Sequence, residues 1–253
     1  MECIYKKSDA LLKKGNKYCP GCFHSMANKL VAECVEELEL REKTTGIIAV
    51  GCANLSQLYF NFDMIGASHG RAAAVATGFK RMAKDRLVFC YQGDGDLASI
   101  GIAETIHAAN RGERITIIFI NNSTYGMTGG QMAPTTLVGQ RSTTTPGGRN
   151  PDKVGFPIRM AEMIAGLEAP VFVARAALNN PKNVRKAKQI IKKAFEIQVA
   201  GKGYSFVELL SSCPTNWGMT PVDAAKWIDT HTMKYFPLGI FKDVDHVMEG
   251  GNK

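Results

Sequence analysis

Five short apolar runs rich in branched residues, separated by stretches with helical spacing, limit the folds open to this chain. The runs are GIIAV (46–50), LVFCY (87–91), ITIIFI (115–120), PVFVA (170–174) and SFVELL (205–210), and helical spacing covers 25–41, 70–84, 99–111, 158–167 and 183–200. Strands that are apolar throughout need cover on both faces. The pattern therefore predicts an α/β fold, a mainly parallel sheet with helices on both faces. Ligands of such sheets sit at the carboxyl ends of the strands, so the residues just after each run are the ones to read. No internal repeat and no Pro-rich linker divides the sequence, which predicts one domain over 1–253. The irregular stretch 137–157 is too long for a plain connector and is read either as a functional loop or as a mobile surface excursion.

The net charge of +8 raises the question of nucleic acid, but no block of Lys and Arg interleaved with aromatics is present. An acidic protein partner fits the charge as well, and an anionic small molecule is a further reading. The N-terminal residues carry scattered charges and no apolar core run, and no later stretch is long and apolar enough to span a bilayer, so a cytoplasmic, membrane-free protein is expected. In that compartment seven cysteines argue for metal or redox chemistry over a disulfide framework.

Two strand ends carry oxygen-bearing side chains. After LVFCY comes QGDGDLAS (92–99), and after ITIIFI comes NNSTYGMTGGQ (121–131). Asp94 and Asn122 lie 28 positions apart, about one strand–helix–strand unit, so both can reach one divalent cation. A hard cation takes carboxylate, amide and carbonyl oxygens and completes its shell with a ligand's phosphates. A helix beginning near Leu97 would point its amides at that phosphate. In this placement GDG followed by NN resembles the thiamine diphosphate motif. The likeness implies that Asp94, Asn122 and the carbonyl of Thr124 bind magnesium, and that Gly95, Asp96, Gly126 and Met127 contact the diphosphate. A Rossmann nucleotide site lacks its G-x-G-x-x-G after the first strand.

YCPGCFH places Cys19 and Cys22 at the start of a helix. A redox dithiol, a zinc knuckle and an iron–sulfur cluster all fit that spacing. Cys52 and Cys213 follow the first and last strands, on the edge that carries the cation motif, whereas Cys3, Cys34 and Cys90 lie in a terminus, a helix and a strand.

Together YCPGCFHSM, VGCAN, SHGRAAAVATGFK, QGDGDLASIGIAETIHAANRGE, NNSTYGMTGGQ and SSCPTNWGMTP resemble, in order over about residues 15 to 222, the beta subunit of the 2-oxoacid:ferredoxin oxidoreductases. The resemblance implies the diphosphate half of a thiamine site, with one [4Fe-4S] cluster on Cys19, Cys22, Cys52 and Cys213. It also implies coenzyme contacts by Val50, Gly51, Cys52, Ala53 and His69. His69, which alone reads as a cap or core residue, becomes a candidate catalytic group, and Arg71 is read as a buried ion-pair residue. Many relatives carry CPGCGH and GCS where this chain has Phe23 and Ala53.

The implied reaction is oxidative decarboxylation of a 2-oxoacid with coenzyme A, electrons leaving through the cluster to ferredoxin. The implied partners are an alpha subunit bringing the pyrimidine-binding domain and its glutamate, with gamma and delta subunits, so the chain alone is expected to be inactive. SSCPTNWGMTP and Met127 resemble the branched-chain, 2-oxoisovalerate group, with 2-oxoglutarate as the alternative. The tail from about 222 to 253 lies outside the likeness and is read as interface. The segment 183–200 sets Val184, Ala187, Ile191, Ala194 and Gln198 on one side and Arg185, Lys188, Lys192 and Lys193 largely elsewhere, either as a solvated face or as an attractor for acidic ferredoxin. A non-redox thiamine decarboxylase or synthase, and a zinc-stapled binding module, are the rival readings.

Overall fold

A computed structural model of the chain describes residues 6–244. The strands are β1 (Thr44–Ile48), β2 (Asp63–Gly66), β3 (Leu87–Gly93), β4 (Thr116–Asn121), β5 (Thr124–Tyr125), β6 (Gln131–Met132), β7 (Pro170–Ala177), β8 (Tyr204–Leu210) and β9 (Gly239–Asp243). The helices are α1 (His24–Glu37), α2 (Ala72–Met82), α3 (Ile102–Asn110), α4 (Pro151–Val154), α5 (Met160–Ala165), α6 (Pro181–Val199), α7 (Pro214–Trp217), α8 (Pro221–Trp227) and α9 (Met233–Tyr235). Among the described residues seven strands form one sheet in the order β2-β1-β3-β4-β8-β7-β9, all parallel except β9, which runs antiparallel to β7. The five apolar runs are β1, β3, β4, β7 and β8, and the α/β expectation holds.

Both faces of the sheet are covered, and alternate residues of one strand feed the two sides. Ile118 and Ile120 of β4 pack with α1 and α6 through Leu30, Val31, Ile191 and Phe195. Ile117 and Phe119 face α2, α3 and α5 through Ala73, Ala76, Ala108 and Ile164. Gln198, the polar residue on the buried side of α6, is explained by β3: its amide accepts from Val88 N and donates to Val88 O, each at 2.7 Å.

Three departures have local causes. The first helix ends at Glu37 instead of 41, because Glu39 takes a left-handed φ of 55° and Arg41–Lys43 form a separate tight turn. The sheet gains two edge strands: β2, too short and too exposed to show an apolar run, and β9, which lies in the tail. Residues 222–244 of that tail pack on this chain's own core, Ile228 and Phe236 joining Leu137, Ala177 and Leu210, while β9 covers the free edge of β7. Cys3 and positions 245–253 lie outside the described residues.

Arg149 orders the stretch 137–157. It is 5% exposed and donates to six carbonyls, those of Ala133, Pro134, Thr136, Val154, Gly155 and Phe156, at 2.8 to 3.3 Å. Arg149→Ala is expected to destabilise the protein by roughly 3 kcal/mol, because it strands several buried acceptors. Limited proteolysis should then cut within 137–157. Arg149→Lys, which keeps the charge but loses the fork, should fall between. Equal denaturation midpoints and equal protease resistance for Arg149→Ala and wild type would refute this account.

The basic face of α6 is tied inward. Lys188 pairs with Glu33 and Glu37 at 2.7 Å, Lys192 with Glu37 at 3.0 Å, and Lys193 with Asp243. Three of the four cations expected to attract a partner are thus already compensated by this chain's own carboxylates.

Candidate active site

After β1 the chain goes outward to β2 and then back past β1 to β3, which makes the gap between the carboxyl ends of β1 and β3 a reversal point where a crevice must open. The cleft found there has a volume of about 530 Å³ measured out to open solvent. It is lined by residues that follow β1 (Val50, Gly51, Cys52, Ala53), β3 (Asp94, Gly95, Asp96) and β4 (Asn122, Thr124), with His69 and the loop of the β5–β6 hairpin (Gly126, Met127, Thr128). Every residue expected to touch the coenzyme or magnesium lines this one cleft.

Asp94 is 1% exposed and accepts from Thr135 Oγ1 at 2.5 Å and Gly95 N at 2.9 Å. Burial pushes its carboxyl up to about 6, against the lowering effect of these hydrogen bonds. The end of the Asn122 amide that faces Asp94 lies 3.2 Å from its Oδ1 and 2.8 Å from the Thr124 carbonyl oxygen. An amide NH2 at that end donates to both. With the amide oxygen there instead, it stands from each of the other two oxygens about as far as adjacent corners of an octahedron with bonds of about 2.1 Å, the magnesium geometry. Ser123, between two of these donors, adopts a left-handed φ of 59°. Trp217 Nε1 donates to the Asn122 carbonyl at 3.1 Å, and Thr136 Oγ1 to that of Ser123 at 2.7 Å. The donor set fits a hard divalent cation.

The helix after β3 starts earlier than expected: residues 94 and 95 are already helical, followed by one wide turn, Asp96–Ile100. Its first amides, free of intrahelical partners, therefore stand directly at the strand end. Gly95 is required here, since a side-chain carbon at this position would run into the ring of Tyr125, whose hydroxyl donates to the Gly95 carbonyl at 3.0 Å. Asp96 uses its carboxylate inside the protein. Its oxygens accept from Gly70 N and Gln92 Nε2, each at 2.6 Å, and from His69 Nδ1. Only the backbone of residue 96 is left for a ligand. His69, with Nδ1 engaged, has Nε2 as its free ring atom. Arg71 pairs with Glu104 but is substantially exposed, so the buried ion pair expected of it is a surface one.

Of the sulfurs, those of Cys52 and Cys213 flank Gly126: a side-chain carbon placed on that glycine would lie 3.2 and 3.6 Å from them. Cys19, Cys22, Cys52 and Cys213 influence one another electrostatically in all six pairings. All four are free thiols. Burial, reinforced by the neighbouring sulfurs, pushes Cys22 up to about 12 and Cys52 up to about 11; burial also raises Cys213. Among the described residues no three Cys, His, Asp or Glu side chains converge tightly enough to hold a single metal ion. Four thiolates on one zinc sit about 2.3 Å from it and so nearly touch; four thiolates on an iron–sulfur cube stand farther apart, with the irons between them. Four free thiols at one rim are the donor set that such a cube takes. Cys34 and Cys90 are fully buried in the hydrophobic core, away from the cleft.

Several residues of the site have no role read from the sequence. His24 lines the cleft, is buried, and has Nδ1 2.8 Å from Tyr91 Oη; burial pushes it down to about 4, so it is neutral. Asn216 donates to both Cys213 Sγ, at 3.2 Å, and the Gly126 carbonyl, at 2.9 Å, joining the β8 end to the glycine loop. Thr135, Gln92 and Trp217 also act through space. His24, Gln92, Asn216 and Trp217 lie inside the quoted motifs but are given no role there, whereas Thr135 lies outside them.

Residues 49–209 match the family described as thiamine pyrophosphate enzyme, C-terminal TPP binding domain. The chain is 46% identical over 240 residues to the ketoisovalerate oxidoreductase subunit VorA of Methanothermobacter marburgensis, covering 95% of this chain and 50% of that protein. It thus spans half the length of that relative. It is 34% identical over 223 residues to the 2-oxoglutarate synthase subunit KorB of Methanocaldococcus jannaschii, covering 85% of this chain and 78% of that one. Among solved structures, the 2-oxoglutarate:ferredoxin oxidoreductase of Magnetococcus marinus, with 2-oxoglutarate, coenzyme A and succinyl-CoA bound, superposes with a TM-score of 0.80 at 26% identity, over 96% of this chain and 86% of that one. With the fold, the coenzyme motif and the order of the motifs in agreement, the chain belongs to the thiamine-pyrophosphate-binding, beta-type subunits of the 2-oxoacid:ferredoxin oxidoreductase family.

Proposed function

We propose that this chain is the coenzyme- and cluster-bearing subunit of an enzyme that converts a branched 2-oxoacid and coenzyme A to acyl-CoA and carbon dioxide, passing two electrons, one at a time, to ferredoxin. The observation that carries this reading is the gathering of four cysteines from three distant segments beside the oxygen trio of Asp94, Asn122 and Thr124, at one rim of the sheet. Magnesium would be held by that trio, the diphosphate by the amides of residues 95–97 and of the glycine loop at Gly126 and Met127, and a [4Fe-4S] cluster by Cys19, Cys22, Cys52 and Cys213. When bound, thiamine diphosphate supplies a carbon nucleophile for the 2-oxoacid carbonyl, and the cluster supplies a one-electron acceptor.

The protein's own groups orient and exclude. Asp96 holds His69 so that Nε2 can take or give a proton at the cleft. Val50, Gly51 and Ala53 form the wall beside Cys52, and His24, neutral and buried, closes the cleft near Cys22. Two large apolar side chains stand open to a substrate, Val50 at 46% and Met127 at 50% exposed, and none of the described residues lining the cleft is Lys or Arg. That lining suits 2-oxoisovalerate better than 2-oxoglutarate, whose second carboxylate requires a fixed cation. An alpha subunit would bring the pyrimidine-binding domain, with gamma and delta subunits completing a cytoplasmic assembly, and residues 1–253 would act within it as one diphosphate-type domain.

The test uses the assembled complex. Iron and acid-labile sulfide should each come to about four per chain. With coenzyme A and a low-potential acceptor, kcat/KM for 2-oxoisovalerate should exceed that for 2-oxoglutarate and pyruvate by at least about tenfold. Zinc in place of iron would end the redox reading, and a preference for 2-oxoglutarate would end the substrate assignment.

A further inference from the structure

We infer that the lysine-rich segment 6–17 is the docking face for a small acidic electron-carrier protein, and that electrons leave the proposed cluster at its Cys19 edge; this rests on the function proposed above. Of the four cysteines, Cys19 is exposed, Cys22 and Cys52 are half-buried, and Cys213 is buried. Cys19 is therefore the sulfur most open to an external acceptor. The segment leading into it holds Lys6, Lys7, Lys13, Lys14 and Lys17, all exposed, against one carboxylate, Asp9, which pairs with Lys6 at 2.7 Å. Among the described residues no carboxylate forms an ion pair with Lys13, Lys14 or Lys17. On α6, by contrast, Lys188, Lys192 and Lys193 are matched by Glu33, Glu37 and Asp243. Uncompensated charge steers a partner; compensated charge does not.

A groove beside these lysines supplies the second observation. Leu11, Leu12, Met26 and Tyr59 line it, and Lys7 and Lys14 stand with them. Asn28 also lines it, 3% exposed, with its Nδ2 donating to Tyr18 Oη at 3.2 Å and its Oδ1 without a partner. Tyr18 stacks on His24 with ring centroids 5.2 Å apart, and His24 lines the coenzyme cleft, so two rings separate the groove from the reaction site. Apolar groove, cationic rim and exposed cluster edge together fit a protein with an acidic ring around its own redox centre.

The test compares the assembled wild-type complex with the triple variant Lys13→Glu, Lys14→Glu, Lys17→Glu. The acceptors are a purified acidic [4Fe-4S] ferredoxin and benzyl viologen. The KM for ferredoxin should rise about tenfold at low salt and lose most of its salt dependence, while viologen reduction and the KM for coenzyme A stay within about twofold. The triple variant Lys188→Gln, Lys192→Gln, Lys193→Gln on α6, whose charges are already paired, should move the ferredoxin KM by less than about twofold. If the glutamate variant does not assemble, the triple glutamine variant at Lys13, Lys14 and Lys17 should show the same direction at about threefold. An unchanged ferredoxin KM, an equal effect from α6, or a rise confined to the coenzyme A KM would overturn the docking face. A wild-type complex that reduces neither acceptor with any 2-oxoacid would strike the proposed function itself, a different result from any of these.

Discussion

Asp94→Asn is expected to weaken magnesium-dependent thiamine diphosphate binding by at least about 100-fold and, in the same molecule, to raise the stability of the metal-free protein. Loss of affinity follows from the donor set: outer-shell partners alone are worth about 10- to 100-fold, and a charged ligand more. Stabilisation follows from burial. The Asp94 carboxyl is raised from 3.8 to about 6, so between those pH values the folded chain keeps a proton that the unfolded chain has lost. Stability contributed by this group is therefore highest below pH 4 and falls as pH rises to about 6. By pH 7 the ionised, cation-free carboxylate costs about 3 kcal/mol. Asparagine keeps the shape and removes the charge. Melting curves of chelator-treated protein at pH 7 should show Asp94→Asn above wild type, with the gap closing near pH 4, and titration calorimetry should show coenzyme binding lost. Wild-type coenzyme affinity in the variant would remove Asp94 from the cation site.

Cys213→Ser and Cys52→Ser should each abolish four-iron content and lower 2-oxoacid-dependent acceptor reduction at least about 100-fold, because a cube needs four thiolates. Cys34→Ser and Cys90→Ser should leave iron content unchanged. Both are as buried as Cys213 or more so, but Cys34 sits in α1 facing the Lys188 carbonyl at 3.5 Å, and Cys90 lies mid-strand in β3. Burial is thus held constant while position varies. Each of these two is expected to lower stability by about 1 kcal/mol through a buried hydroxyl, without touching the metal. Iron analysis and visible absorbance of the four variants decide the matter. A requirement for Cys34 or Cys90 would mean that the cluster, if present, is held elsewhere.

The legibility of this protein was uneven for physical reasons. β3, β4 and β8 were visible because strands buried on both faces must be continuously apolar, and that pattern is local. β2 and β9 were not, since edge strands are half-exposed and carry no such run. Asp94 and Asn122 were picked out from strand-end placement, and Thr124 and the cysteines at 19, 22, 52 and 213 from a family likeness added to it. His24, Thr135, Asn216 and Trp217 stayed hidden because each acts on a residue between 3 and 95 positions away, by a single hydrogen bond or wall contact that no spacing encodes.

What the sequence alone determined is therefore whatever depends on neighbours along the chain: the strand and helix periods, the parallel order they require, and the residue types waiting at each strand end. Tertiary structure alone decided how those residues are used. It turned the Asp96 carboxylate toward His69 and Gly70 instead of outward, matched Lys188, Lys192 and Lys193 of α6 with Glu33, Glu37 and Asp243, and gave Lys13, Lys14 and Lys17 no ion pair among the described residues. Charge pairing and hydrogen bonding depend on distance through space, and for residues far apart in the chain only the folded sheet sets that distance.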